Sequence, residues 1–155
     1  MTTKVKAVPE GFHAVTPYLI VTGAAAAIDF YKKAFGATEI VRHTDPSGRI
    51  GHAQIKIGDS VIMMGERMEN PGPWANAGTS MMMYVYVEDV DALFNRAVAA
   101  GATAIMPVAD MFYGDRSGGL MDPYGHVWCI ATHKEDMSEE ELQRRGAAAM
   151  AAKNK

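Results

Sequence analysis

The chain has 155 residues, 48% hydrophobic and 21% charged, enough for one packed domain and too apolar for disorder. Lys and Arg number 15 against 18 Asp and Glu, a net charge of −3, and with no basic block nucleic acid is a poor partner. No apolar run approaches the ~20 residues of a membrane span, the start Met1-Thr2-Thr3-Lys4 lacks a secretory apolar stretch, and a single Cys129 excludes an internal disulfide or a Cys-rich zinc site, so a cytosolic location is expected.

In chain order, the apolar stretch 16–21 predicts a strand and residues 24–35 a helix. Ile28, Tyr31, Lys32 and Phe35 share one face at the 3.6-residue period, Lys32 burying its stem and keeping its ammonium wet. Gly36 stands where a glycine ends a helix. Strands follow at 39–44, 50–57 and 60–65, separated by the turns Asp45-Pro46-Ser47-Gly48 and Gly58-Asp59. Residues 66–79, with Pro71, Gly72, Pro73 and Gly78, form a connector or a lid.

A strand at 82–87 leads to Asp89, an N-cap for a helix whose apolar face is Val90, Leu93, Phe94 and Ala97, ended by Gly101. Three more strands are expected at 104–111, 116–121 and 126–133, the last two joined by Asp122-Pro123-Tyr124-Gly125. His126, just after that turn, is expected to fix the hairpin by hydrogen bonding. Ser138-Glu139-Glu140-Glu141 is a capping box for a C-terminal helix over 138–152, braced by Glu140–Arg144 and Glu141–Arg145 pairs. That helix is polar or Ala-rich and is expected to pack loosely or against a second copy.

The order of elements repeats. Gly36-Ala37-Thr38 recurs as Gly101-Ala102-Thr103, an offset of 65 residues, and the strands before the helices begin 66 apart, at Thr16 and Met82. The reading is α+β: one domain of two tandem βαβββ modules, 13–66 and 80–134, each a curled mixed sheet with a packed helix, plus the C-terminal helix.

This doubled module resembles the vicinal oxygen chelate superfamily of glyoxalases, bleomycin-resistance proteins and dioxygenases. Residues Ile28-Asp29-Phe30-Tyr31-Lys32-Lys33-Ala34-Phe35-Gly36 are similar to its first-helix signature, and Asp122-Pro123-Tyr124-Gly125-His126 to its last hairpin. Thr16-Pro17-Tyr18-Leu19, Gly114-Asp115-Arg116-Ser117-Gly118, Gly125-His126-Val127-Trp128 and the run 130–136 resemble its PhnB-like branch. The resemblance spans about residues 13–145. It implies two half-barrels enclosing a cleft, a homodimer and, in metal-dependent relatives, two ligands per module drawn from His, Gln and Glu. Those four positions map here to Thr16, Met63, Met82 and Cys129. A hydroxyl, two thioethers and a lone thiol are poor ligands for a hard or borderline dication, so no metal cofactor is expected.

Strand alternation then orients the remaining candidates. Tyr18 and Ile20 join Thr16 on the cleft side, Tyr84 and Tyr86 join Met82, and His52, Gln54 and Lys56 lie opposite the helix-facing Ala53, Ile55 and Ile57. His52 is the candidate general base or displaced metal ligand, with Gln54 or Glu66 beside it; the alternative is a sheet-face His bonded to a neighbour. Arg116 either clamps an anionic ligand or pairs with Asp115 or Asp122. Cys129 reads as a small buried thiol, and His13, His43 and His133 have no ligand spacing. No HExxH, CxxC, P-loop or GxGxxG pattern occurs.

The candidate ligand-binding set is therefore Thr16, Tyr18, His52, Gln54, Met63, Met82, Tyr84, Arg116 and Cys129. A Met- and Tyr-lined cleft suits a small apolar or aromatic molecule held by few hydrogen bonds. The leading expectation is a metal-free binder. The alternative is a divergent metal-dependent lyase or oxidoreductase built on His52.

Overall fold

The computed structural model describes residues 7–69 and 81–153, so the expected connector falls mostly outside it. The chain divides into two compact units, Met1–Gly78 and Thr79–Lys155. The first runs β1 (Tyr18–Val21), α1 (Ala24–Phe35), β2 (Thr38–Thr44), β3 (Ile50–Ile57) and β4 (Ser60–Glu66). The second runs β5 (Met82–Tyr86), α2 (Val90–Ala100), β6 (Thr103–Asp110), β7 (Asp115–Met121), β8 (Val127–His133) and α3 (Glu139–Lys153). Each unit is a βαβββ module, and the class is α+β.

Each module makes its own 4-stranded sheet, ordered β1-β4-β3-β2 in module 1 and β5-β8-β7-β6 in module 2. The first strand pairs parallel to the last, and the others are antiparallel hairpins. The duplication extends to register. Tyr18 lies opposite Met63 and Tyr84 opposite Cys129, so both partners are displaced by 66 residues (18 to 84, 63 to 129).

Alternation puts the larger part of each core on the helix side of its sheet, while Val61, Cys129 and Ala131 are buried on the other side. In module 1, Leu19, Val21, Ala53, Ile55, Ile62 and Met64 are buried, as are Ala27, Ile28, Tyr31 and Ala34 of α1. In module 2, Leu120, Trp128 and Ile130 are buried with Val90, Phe94 and Ala97 of α2. Gly118 permits that helix to approach, since a Cβ there would stand 2.7 Å from the Phe94 ring. Among the described residues no helix is long and apolar enough to cross a membrane.

Both helices take a cap from the last strand of their own module. Gly23 precedes α1 at φ 83 with no side chain to cap it, and the Glu66 carboxylate accepts from the Gly23 and Ala24 N–H groups at 2.6 and 2.9 Å. In α2, Asp89 accepts from Ala92 N–H as expected, and Thr132 Oγ1 also accepts from Val90 N–H at 2.9 Å. Glu66 and Thr132 are again 66 residues apart. Orphan amides at a helix start need such acceptors.

At the C-terminus Ser138 caps α3, accepting from Glu141 N–H. The expected Glu140–Arg144 pair is not formed. Arg144 reaches Glu141 instead, and Arg145 bridges Glu141 and Glu135. A single carboxylate between two guanidiniums, with Glu135 behind, draws both arginines to the same side.

Candidate functional site

The faces turned away from the helices carry the candidate chemistry, and each is described within its own module. In module 1, Thr16 lies before β1, two residues short of the strand it was expected to open. Tyr18 is exposed, and its hydroxyl reaches across β4 to His52 Nδ1 at 3.3 Å. The bridge depends on Gly65, where a Cβ would stand 2.8 Å from the Tyr18 hydroxyl and 2.7 Å from the Gly51 carbonyl.

The second His52 nitrogen, Nε2, meets the Gln54 amide at 3.2 Å. Each ring nitrogen thus has a partner, and the tautomer follows from which of them donates. Burial pushes the Tyr18 phenol up, so it remains protonated. His43 lies directly opposite His52, their rings 5.9 Å apart. This extends the row to three rings, a neighbour that spacing along the chain did not disclose. Met63 pairs with both Tyr18 and Gln54 and is half-buried.

Glu66, the proposed partner of His52, is turned to the other face. Its two oxygens are committed to the start of α1, because alternation along β4 places it opposite to Gly65. A His52-centred acid–base pair therefore has to be built without it. Lys32 does keep its ammonium at the surface, donating to Glu39 at 2.8 Å. With Arg42 on the same carboxylate, Glu39 is held down at about 2.

In module 2 the centre is Asp115. Its side chain is 5% exposed, and Oδ2 accepts from both Tyr84 and Tyr86 hydroxyls at 2.9 Å. Oδ1 faces His133 Nδ1 at 2.8 Å, and His133 Nε2 faces Asp136 Oδ1 at 2.8 Å. Both ring nitrogens of His133 face carboxylate oxygens, an arrangement that favours the doubly protonated ring. Asp115 first and Asp136 second raise the His133 pKa. Burial pushes the Asp115 carboxyl up, but the bonds from His133, Tyr84 and Tyr86 outweigh it and hold the group below its ordinary range. Burial, then the bond to Asp115, pushes Tyr84 far up, so it stays a phenol.

Arg116 does not belong to this face. It alternates with Asp115 along β7, and its guanidinium pairs with Asp91 of α2 at 2.7 Å and with Asp110 at 3.2 Å. Its ion-pair partners are therefore Asp91 and Asp110 and not the Asp115 or Asp122 that the sequence suggested. Asp122 instead braces the turn, accepting from the backbone N–H of Tyr124 and His126 and from the Trp128 indole. His126 takes part through its backbone, and its buried Nδ1 has no hydrogen-bond partner among the described residues.

Asp115 and His133 are the residues that sequence reasoning missed. The signal was available in the hairpin. Counting back from Met121 opposite Val127 brings Asp115 opposite His133. Cys129 is 7% exposed, and burial pushes its thiol up, against a role as nucleophile.

Thr16, Met63, Met82 and Cys129, onto which the resemblance maps the superfamily's ligand positions, offer a hydroxyl, two thioethers and a thiol, donors that suit a hard or borderline dication poorly. Among the described residues no three His, Cys, Asp or Glu side chains come together as a metal site.

The class defined by this duplicated βαβββ fold has a name. A profile of the Glyoxalase/Bleomycin resistance protein/Dioxygenase superfamily matches residues 11–130, and the chain belongs to that superfamily. It is 37% identical over 136 residues to Mb0911c of Mycobacterium bovis, an uncharacterized protein, covering 84% of this chain and 90% of that one. Rv0887c of Mycobacterium tuberculosis, also uncharacterized, is 37% identical, with 84% and 80% covered. Among solved structures, TioX from Micromonospora sp. ML1 superposes with a TM-score of 0.63 at 29% identity, over 81% of this chain and 100% of TioX. A PhnB protein from Bacillus cereus, described as a putative 3-demethylubiquinone-9 3-methyltransferase, matches with a TM-score of 0.62 at 21% identity, over 77% and 99%, a likeness of fold alone.

Proposed function

We propose that this chain binds a small apolar or aromatic organic molecule on the open faces of its sheets, without a metal at the superfamily's usual positions. The observation that carries this reading is the stripe Met82, Tyr84 and Tyr86 on the edge strand β5, exposed by 58, 39 and 61%. Large apolar side chains at successive positions of one strand face cost solvation and mark a contact surface. Thioether and phenol adapt to a ligand's shape and to a few polar contacts. The thioethers at Met63 and Met82 support the same reading, because they add apolar surface where a hard ligand would otherwise be needed.

The test is a thermal-shift and calorimetric screen of aromatic and amphipathic compounds run beside divalent metals on the full chain. Stabilisation by organic compounds, lost in Tyr84→Ala, is expected. Binding of metals only, at about one per chain and abolished by His52→Ala, overturns the reading in favour of His52-centred metal chemistry. A homodimer belongs to the same proposal, since no residue of α3 is buried within the chain. Sedimentation equilibrium showing a monomer at all concentrations would remove that part.

A further inference from the structure

The Asp115 cluster has committed its hydrogen-bond donors. Tyr84 and Tyr86 both give their hydroxyl hydrogens to Asp115, and both ring nitrogens of His133 are taken up by carboxylates, Nδ1 by Asp115 and Nε2 by Asp136. Arg116, the cation on the same strand, is on the opposite face with Asp91 and Asp110. An incoming anion meets no uncommitted donor on this face among Tyr84, Tyr86 and His133. Two carboxylates around one imidazolium also leave a net negative charge behind the tyrosines.

What the cluster offers outward is of the other kind. The Tyr84 and Tyr86 rings lie 5.2 Å apart at 48° and are both exposed, with Met82 next along the strand. A phenol that donates to a carboxylate is polarised toward its ring and its oxygen lone pairs, and a ring face attracts a cation. A phenol oxygen whose hydrogen is engaged can only accept. Resting on the small-molecule reading above, we infer that the open face of module 2 selects a ligand whose aromatic or apolar body carries a protonated amine, and rejects the matching carboxylate.

The experiment uses the full chain labelled with carbon-13 in its tyrosine rings, with Tyr84→Phe and Tyr86→Phe assigning the two resonances. Three probes of one shape are titrated near neutral pH: 2-(1-naphthyl)ethylamine, the neutral 2-(1-naphthyl)ethanol, and 1-naphthylacetate. The amine is expected to shift Tyr84 and Tyr86 and to bind about tenfold more tightly than the acetate, the scale of a cation over two ring faces backed by a fixed carboxylate. Tyr86→Leu, at an exposed position, is expected to cut that preference to about threefold or less. Asp115→Asn should weaken it further where the variant folds. Equal or tighter binding of the acetate, or a preference that Tyr86→Leu leaves intact, overturns the inference while leaving small-molecule binding standing. Failure of all three probes to move either tyrosine at millimolar concentration overturns the binding reading itself.

Discussion

Tyr18 in module 1 and Tyr84 in module 2 hold equivalent places, and each sends its hydroxyl over the neighbouring strand to the next. Tyr18 ends at His52, 3.3 Å away on an open surface. Tyr84 ends at Asp115, 2.9 Å away and buried, where Tyr86 and His133 also converge. Counted back from the hairpins, the place of Asp115 on β7 is taken by Ile50 on β3. With Ile20 and Arg67 standing at the places of Tyr86 and His133 as well, three exchanges together turn the end of a strand into a hub with three partners. The scaffold was duplicated faithfully, down to the pairing register and the strand-borne helix caps, while the chemistry on its open faces diverged. An open sheet face is free to do so, because its side chains do not fill the core.

The largest effect that would sharpen this comparison is at the hub. Asp115→Asn should cost about 2–4 kcal/mol, because a buried acceptor with three charge-assisted or phenolic donors is replaced by a group that must present N–H to one of them. Tyr18→Phe, at the exposed bond of module 1, should cost less than about 1 kcal/mol. Urea unfolding of both variants measures the ratio, and similar losses would erase the contrast. Gly65→Ala comes next, at about 1–3 kcal/mol, since its Cβ collides with the Gly51 carbonyl and the Tyr18 hydroxyl. The equivalent strand position in module 2 already carries a methyl group, at Ala131.

The caps should differ by less. Glu66→Ala removes the acceptor for two amides at a helix start that has no cap of its own, about 1–2 kcal/mol. Thr132→Val removes one of two acceptors at α2, about 1 kcal/mol; both follow from thermal unfolding.

The pH responses should be opposite. His133 is raised above its ordinary value by Asp115 and Asp136. Its contribution is therefore complete below the unfolded value of ~6.5 and is lost as pH rises through the higher folded value. Glu39 is lowered to about 2 by Arg42 and Lys32. Its contribution is complete above the ordinary carboxylate range and is lost as pH falls through about 2. Histidine and carboxylate NMR titrations check both signs. The smallest effect is expected from Arg116→Met. It should leave small-molecule binding unchanged in calorimetry and move the urea midpoint less than any variant above, as for exposed ion pairs.

Much of the fold could be read locally. Gly36 and Gly101 end the helices, Asp89 and Ser138 start them, and period-two burial along β1 and over Ala53–Ile57 of β3 follows the predicted faces, whereas β4 and β8 are buried on both sides over much of their length. Of the candidate site, the placement of Tyr18, His52, Gln54, Tyr84 and Tyr86 opposite to the helix was legible for the same reason. The hub was not. Asp115 meets Tyr84 and Tyr86 from 31 and 29 residues away, across a strand that comes from later in the chain. Arg116 was legible in principle, since adjacent strand residues point to opposite faces, and that alternation excludes it from sharing a site with Asp115.

By itself the sequence determined the elements, their repeat and the face each strand residue takes, because capping, turn chemistry and periodicity act within a few residues. Only the tertiary structure decided which of those residues share a proton. Parallel pairing of β5 with β8 inserts one strand between tyrosines and carboxylate, and nothing local along the chain encodes that distance.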